Sequence, residues 1–281
     1  IASFFMYNKD IKLSSCYYCN IDFINSFNNL SAEYVDDLDF SNRAKKYELI
    51  YIDNIGKKRA KALIEKRKNN KFIKKTIPKY IKDDYDNMVS KIKYNHFTLD
   101  HILPQSKYPF FSLCLYNFVP SCYACNSKFK KAREFDEIEN LSIGDLKYII
   151  PSSKEYSLNK DFEFRPLYSN SKNISAIQTI NDYVLSYSIT RNEELIEKYL
   201  EMFKIFGRYL FHKEEVLKLI EKKVKYPDSK IENISKLMNV TESEIKKDIY
   251  GRELFDIEDT NKPLVKYKRD IAKNLGIKDV L

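Results

Sequence analysis

The sequence predicts an α+β protein, mostly α, with one small strand-and-helix unit set among helical additions. Three observations carry that prediction. Apolar residues recur at helical spacing across residues 40–93 and again from 191 onward. Two short apolar runs, HFTLDH and LCLYNFVP, flank a turn-rich loop, and each is soon closed by a proline. Two C-x-x-C pairs, SSCYYCN and PSCYACN, lie about a hundred residues apart, and one metal ion could join them.

The elements follow in order. Residues 1–39 form an arm that carries the first C-x-x-C. Residues 40–68 read as helical: YELIYI, then KRAKALIEKRK with Ala60, Leu63, Ile64 and Arg67 on one face. Pro78 breaks the pattern, and Ile81, Tyr85, Met88, Val89 and Ile92 mark another helix over 81–93. HFTLDH is then a strand, PQSKYP a loop and LCLYNFVP a second strand, and SCYACNSKFKKAREF starts a helix near the second C-x-x-C. Two strands and a helix are enough for a small catalytic unit. Residues 134–190 read as irregular, apart from a strand candidate in KDFEFRPLY.

From 191 the pattern is helical, strongest in EELIEKYLEMFKIFGRYLF and KEEVLKLIEKKVKY. Two short helices surround Asn239-Val240, with Thr241 and Glu244 placed for a capping box. Their helix–turn–helix look fits plain packing better than DNA reading. The last helix, KPLVKYKRDIAKNL, stops near Gly276. The expected regions are 1–39, a basic helical segment 40–95, a catalytic core 96–135 and a helical region 136–281.

Composition narrows the function. With 281 residues, 43% hydrophobic and 14% aromatic, the chain can bury a sizeable core. No apolar run approaches the roughly 18 residues of a bilayer span. The opening IASFFMYNKD has no long apolar stretch and no small-residue cleavage site. We therefore expect a cytoplasmic protein with no membrane partner. There are five glycines, and no phosphate-binding loop, dinucleotide fingerprint or serine-hydrolase elbow. Any ATPase working with this chain would belong to a partner.

The net charge is +9, and it is concentrated. Residues 43–93 hold 17 Lys/Arg against 6 Asp/Glu, densest in GKKRAKALIEKRKNNKFIKK, where Lys57, Lys58 and Arg59 sit. A concentrated positive field suits a polyanion. The plainer alternative is a solvated helix face.

Four of the five cysteines, Cys16, Cys19, Cys122 and Cys125, form the two C-x-x-C pairs. Together they can supply a closed, tetrahedral four-cysteine zinc site, which is structural because it leaves no open position. A redox pair or disulfides remain alternatives. Cys114, in FFSLCLY, alternates with apolar residues and reads as a core thiol. His96 and His212 read as structural or surface residues.

The central segment LDHILPQS…YNFVPSCYACNSKFK resembles the HNH, or ββα-metal, endonuclease family over residues 97–131. The resemblance implies a small ββα-metal core. It makes His101 the general base, with Asn117 orienting its imidazole. Asp100 and Asn126 would hold one Mg²⁺ or Mn²⁺, and Lys128, Lys130 and Lys131 would contact phosphates. Asn126 stands where many members have histidine, as it does in the HNH domains of RNA-guided nucleases. The chemistry is coherent, since an imidazole exchanges a proton near pH 7 and a carboxylate holds a hard cation. The expected function is metal-dependent cleavage of nucleic acid, with DNA favoured over RNA. The alternatives are an RNA-cleaving nuclease or a catalytically silent, zinc-stabilised binding subunit. The helical additions look similar to HNH subunits of bacterial anti-phage defence pairs of the Septu type, whose partner is an ATPase.

Overall fold

The computed structural model describes residues 1–8, 13–91, 93–133, 143–151, 153–156, 158, 160–169, 173–255 and 262–277. It is α+β, about half helical, and its described strands form three two-stranded antiparallel sheets. These are β1 (Ser26–Asn28) with β2 (Lys93–Asn95), β3 (Thr98–His101) with β4 (Phe118–Ser121), and β5 (Phe162–Leu167) with β6 (Val184–Ile189). The chain divides into two compact units, Ser26–His96, and Ile1–Asn25 together with Phe97–Leu281. No helix among the described residues is long and apolar enough to cross a membrane.

The continuous unit contains helices Asp37–Arg43, Lys46–Leu49, Lys57–Asn69 and Lys79–Lys91. Asp36 caps the first, its side chain accepting from Asp39 N at 2.8 Å. The expected helix over 40–68 is broken into three pieces. Ala44 leaves the helix with ψ 138°, Asn54 takes a left-handed φ of 64°, and Gly56 caps the next helix in extended form. The face expected on that next helix is the one that turns inward: Ala60 and Leu63 are buried, and Ile64 and Arg67 are half-buried. Ala60 and Leu63, with Ile64 packed against them, join Phe40, Leu49, Ile52, Ile81 and Met88 in a separate core. Arg67 sends Nη1 to Ser41 O (3.1 Å) and Nη2 to Ala44 O (2.6 Å). It thereby satisfies carbonyls at the end of helix Asp37–Arg43 that no later turn can reach.

The discontinuous unit has the larger core. Phe162 and Phe164 on β5 point into it. Helix Val265–Asn274 packs on that strand, with Asp270 Oδ2 accepting from Phe164 N at 3.0 Å and Lys266 Nζ reaching Phe162 O at 2.7 Å. The partner strand β6 lies in the stretch that reads as irregular. Its sequence VLSYSI has only one buried side chain, Leu185, so its apolar pattern is weak.

The expected long helix from 193 stops at Met202 and resumes at Ile205, because Lys204 is left-handed with φ 52°. The capping box is present: Glu244 N donates to Thr241 Oγ1 and Thr241 N donates to Glu244 Oε2. Gly276, just past the last described helix, has φ 64°, as a stop signal requires. In LCLYNFVP only the C-terminal half is strand, since Leu115–Asn117 makes a 3-10 turn first. The helix after the second C-x-x-C is a π-helix, Ala124–Lys130. The helix expected to run on through Phe135 ends at Lys130, where Lys131 takes a left-handed φ of 53°. Residues 134–135, the Val89 side chain and Ile92 lie outside the described residues.

Candidate functional site

Each C-x-x-C sits in a tight loop. In the first, Asn20 N donates to Cys16 O at 2.8 Å, and Asn20 takes a left-handed φ of 51°. In the second, Asn126 N donates to Cys122 O at 3.1 Å. Backbone N–H groups also point at sulfur, from Ile21 to Cys19 Sγ (3.5 Å) and from Cys125 to Cys122 Sγ (3.4 Å). The four sulfurs are buried and lie within 4.8 Å of one another. Zinc–sulfur bonds of about 2.3 Å in a tetrahedron put sulfurs about 3.8 Å apart, so the donor set fits a structural zinc.

The surroundings support that fit. Four thiolates around a divalent ion leave two negative charges. Arg208 faces them, with Nη1 at 3.2 Å from Cys125 Sγ and Nη2 at 3.4 Å from Cys19 Sγ, and it also pairs with Asp22 at 2.7 Å. Burial works against the guanidinium charge, but Cys19 and Cys125 outweigh it and raise the Arg208 pKa. The first loop is also tied to the C-terminal helices. Tyr199 donates its hydroxyl to Tyr18 O at 2.8 Å, and Tyr209 donates to Cys19 O at 2.7 Å.

Asp100 and His101 end β3, paired with Val119 and Phe118 of β4. Neighbours on a strand face opposite ways. Accordingly Asp100 is buried, at 4% exposure, while His101 is half-buried against the Phe118 ring, 4.5 Å between centroids. His101 Nε2 lies 3.0 Å from Ser112 O. A carbonyl only accepts, so Nε2 carries a proton, and in the neutral imidazole the lone pair is then on Nδ1.

Asn117 is buried and holds the loop that delivers Ser112. Its Oδ1 accepts from Leu103 N (2.8 Å), and its Nδ2 donates to Leu103 O and Phe111 O (both 3.1 Å). Its bond to Phe111 O lies one residue from Ser112, whose carbonyl meets the His101 ring. Asn126 is half-buried, and its Nδ2 donates to Leu99 O at 3.4 Å.

Lys130 corrects an expectation. It is 0% exposed, so it does not face a phosphate alongside the exposed Lys128 and Lys131. Its Nζ lies 3.0 Å from Asp100 Oδ2 and 2.6 Å from His101 O. Spaced four residues from Asn126 on one helix, it turns inward with that residue. The same Asp100 Oδ2 accepts the Tyr18 hydroxyl at 2.6 Å. Burial pushes the Asp100 carboxyl up, and Lys130 and Tyr18 pull against that shift. With an ammonium already on this buried carboxylate, the arrangement does not fit a divalent cation at Asp100 Oδ2 unless Lys130 leaves.

Lys57, Lys58 and Arg59 are exposed on the other unit, where Arg59 covers the Tyr80 ring and donates to Asn54 O at 2.6 Å. Cys114 is half-buried rather than part of the core. His96 is exposed and His212 half-buried. Sequence reasoning missed Tyr18, Ser112 and Arg208. A signal existed for Tyr18 alone: it lies between Cys16 and Cys19, so joining the two cysteine pairs carries it toward the strand that ends in Asp100. Comparison with protein-family models, curated proteins and solved structures finds no match for this chain.

Proposed function

We propose that this protein hydrolyses phosphodiester bonds of nucleic acid, DNA favoured, with His101 as general base. The observation that carries the reading is the Nε2 anchor on Ser112 O, which leaves Nδ1 as the basic nitrogen. Held that way, the imidazole can take a proton from water at Nδ1 as the water attacks phosphorus, while the bond from phosphorus to the leaving ester oxygen breaks and that oxygen takes a proton from solvent. Asn117 fixes the loop that fixes the ring, and exposed Lys128 and Lys131 can hold the phosphate charge. The resemblance to HNH nucleases supports the same assignment. It also implies Mg²⁺ or Mn²⁺ and a regulatory ATPase partner in anti-phage defence. No step here depends on a cation at Asp100.

A second reading is a catalytically silent, zinc-stabilised binding subunit. The observation favouring it is that Asp100 Oδ2 is shared by Lys130 and Tyr18. Supercoiled plasmid and bulk RNA, each with Mg²⁺, Mn²⁺ or EDTA, separate the two. Under the nuclease reading wild type cleaves one polymer, and His101→Ala loses about 10²-fold or more in rate. Cleavage that survives His101→Ala would remove His101 from the role. Absence of cleavage with the ATPase partner present would favour the silent subunit.

A further inference from the structure

We propose that the loop between β3 and β4 is a stacking platform for unpaired bases, so that the substrate is single-stranded nucleic acid, DNA or RNA. The proposal rests on the nuclease reading and names its substrate class. Phe110 is 97% exposed, Tyr116 85% and Leu113 81%. Large apolar side chains clustered on one short loop are an unusual use of surface and mark a contact site. The loop is tethered from below, because Asn117 bonds Phe111 O and His101 meets Ser112 O. The exposed rings therefore begin within two residues of the carbonyl that anchors the candidate base.

Beside the loop lies a cleft of about 480 Å³, walled in part by Phe111, Tyr116, Leu103 and Ile150. Lys147 is the only charged side chain among its described lining residues. An apolar cleft with two aromatic walls and a cation at its edge suits a planar base attached to a phosphate.

Charge selects nucleic acid over a protein partner. Residues 101–133 contain no Asp or Glu, while Lys107, Lys128, Lys131 and Arg133 are exposed. Protein–protein interface cores are depleted in lysine. Aromatic side chains interleaved with cations are the composition of a single-strand groove. A duplex keeps its bases stacked on one another and offers only phosphates, which would leave the rings unused.

The test measures binding apart from cleavage, in the zinc-loaded full chain carrying His101→Ala. The probes are fluorescent 12-nucleotide single strands of DNA and of RNA, one set containing 2-aminopurine, and a DNA duplex of the same length. We expect single strands to bind more tightly than the duplex, with 2-aminopurine quenched on binding. Adding Phe110→Ala and Tyr116→Ala, both solvent-facing, should weaken single-strand binding about tenfold or more, abolish the quench and leave duplex binding unchanged. Equal affinity with and without the rings, or a preference for duplex, overturns the proposal. So does a dimer in wild type that the double substitution makes monomeric, since the patch would then be a protein interface. Cleavage of single-stranded DNA, plasmid and bulk RNA by chains with native His101 keeps the two failures apart. Lost stacking with cleavage intact sinks only the platform, and absent cleavage with stacking intact sinks only the nuclease.

Discussion

The two units solve the same problem with different means. In Ser26–His96 the polar bonds that organise the chain span shorter stretches of sequence. Glu48 is fully buried and takes N–H groups from Ser31 (2.6 Å) and Lys45 (2.5 Å) and the Tyr34 hydroxyl (2.8 Å). Arg67 reaches back only to Ser41 and Ala44. The other unit is assembled from distant pieces: Tyr18 bonds Asp100, and Arg208 and Tyr209 bond the loop of Cys19. Closing such long loops costs entropy that local helices avoid. A metal-type cluster flanked by the buried Lys130–Asp100 pair and the partly exposed Arg208–Asp22 pair supplies a concentrated return for that closure. The lesson is that the unit bearing the candidate chemistry depends on a few buried polar nodes joining distant segments, while the other depends on an amphipathic core and on carboxylates, Glu48 and Asp84, that bond closer in the chain.

The largest test of that contrast is to remove the cluster. Cys19→Ser with Cys122→Ser, or zinc stripped by a strong chelator, should cost the discontinuous unit several kcal/mol. Hydrogen exchange resolved by peptide should show amides of β3, β4 and 193–225 losing protection while those of 57–69 and 79–88 keep theirs. Equal loss in both units would mean that they do not differ in what holds them.

Next in size is Lys130→Met. Removing one partner of a buried pair costs about 3–5 kcal/mol, because Asp100 is left charged without its ammonium. Thermal melting with and without Mg²⁺ sharpens the point. If a divalent cation can take the place of the ammonium, Mg²⁺ should raise the melting temperature of this variant more than that of wild type. An equal response would show that Asp100 takes no such cation. The double substitution Lys130→Met with Asp100→Asn should recover much of the stability, since no buried charge is then left alone.

These nodes were unevenly legible in the sequence. The cysteine quartet was visible, because its spacing is short and its chemistry is exclusive. Asp100, His101 and Asn117 were visible as residue types in register, but not their bonds. Asn117 acts through Phe111 and Leu103, and nothing in a linear string says which carbonyl an amide will meet. Lys130 looked like its neighbours Lys128 and Lys131. Only the wider turn of the π-helix and the position of Asp100 decide that it faces inward. The inward face of Lys57–Asn69 was legible from apolar period alone. The strand β6 was not, because its outward serines dilute the alternation.

Acid provides a smaller, sign-sensitive contrast. Burial pushes the Glu48 carboxyl up, but the N–H groups of Ser31 and Lys45 and the Tyr34 hydroxyl outweigh it and hold it below the ordinary 4.5. A depressed value stabilises the fold above the unfolded pKa and is lost as pH falls through the folded one. Asp100 is raised above the ordinary 3.8, so its contribution has the opposite sign, greatest in acid and declining as pH rises through the raised value. Glu48→Gln should therefore cost about 1–3 kcal/mol at pH 7 and progressively less below pH 4.5. Chemical denaturation followed through amides of 37–69 reads this. A cost that does not shrink in acid would assign the loss to shape rather than charge.

The smallest effect on stability should come from the basic surface, and it separates what charge does from what folding does. Lys57, Lys58 and Lys61 are exposed on helix Lys57–Asn69. Replacing all three with alanine should leave stability within about 0.5 kcal/mol per site, since exposed positions away from caps and cores are near neutral. Nucleic-acid binding should respond differently if this face holds phosphates. Each lost contact should flatten the plot of log affinity against log salt by about one, uniformly across sequences. An unchanged slope would leave these lysines as a solvated helix face. The continuous unit would then have no part in binding, and recognition would lie with the unit that carries His101.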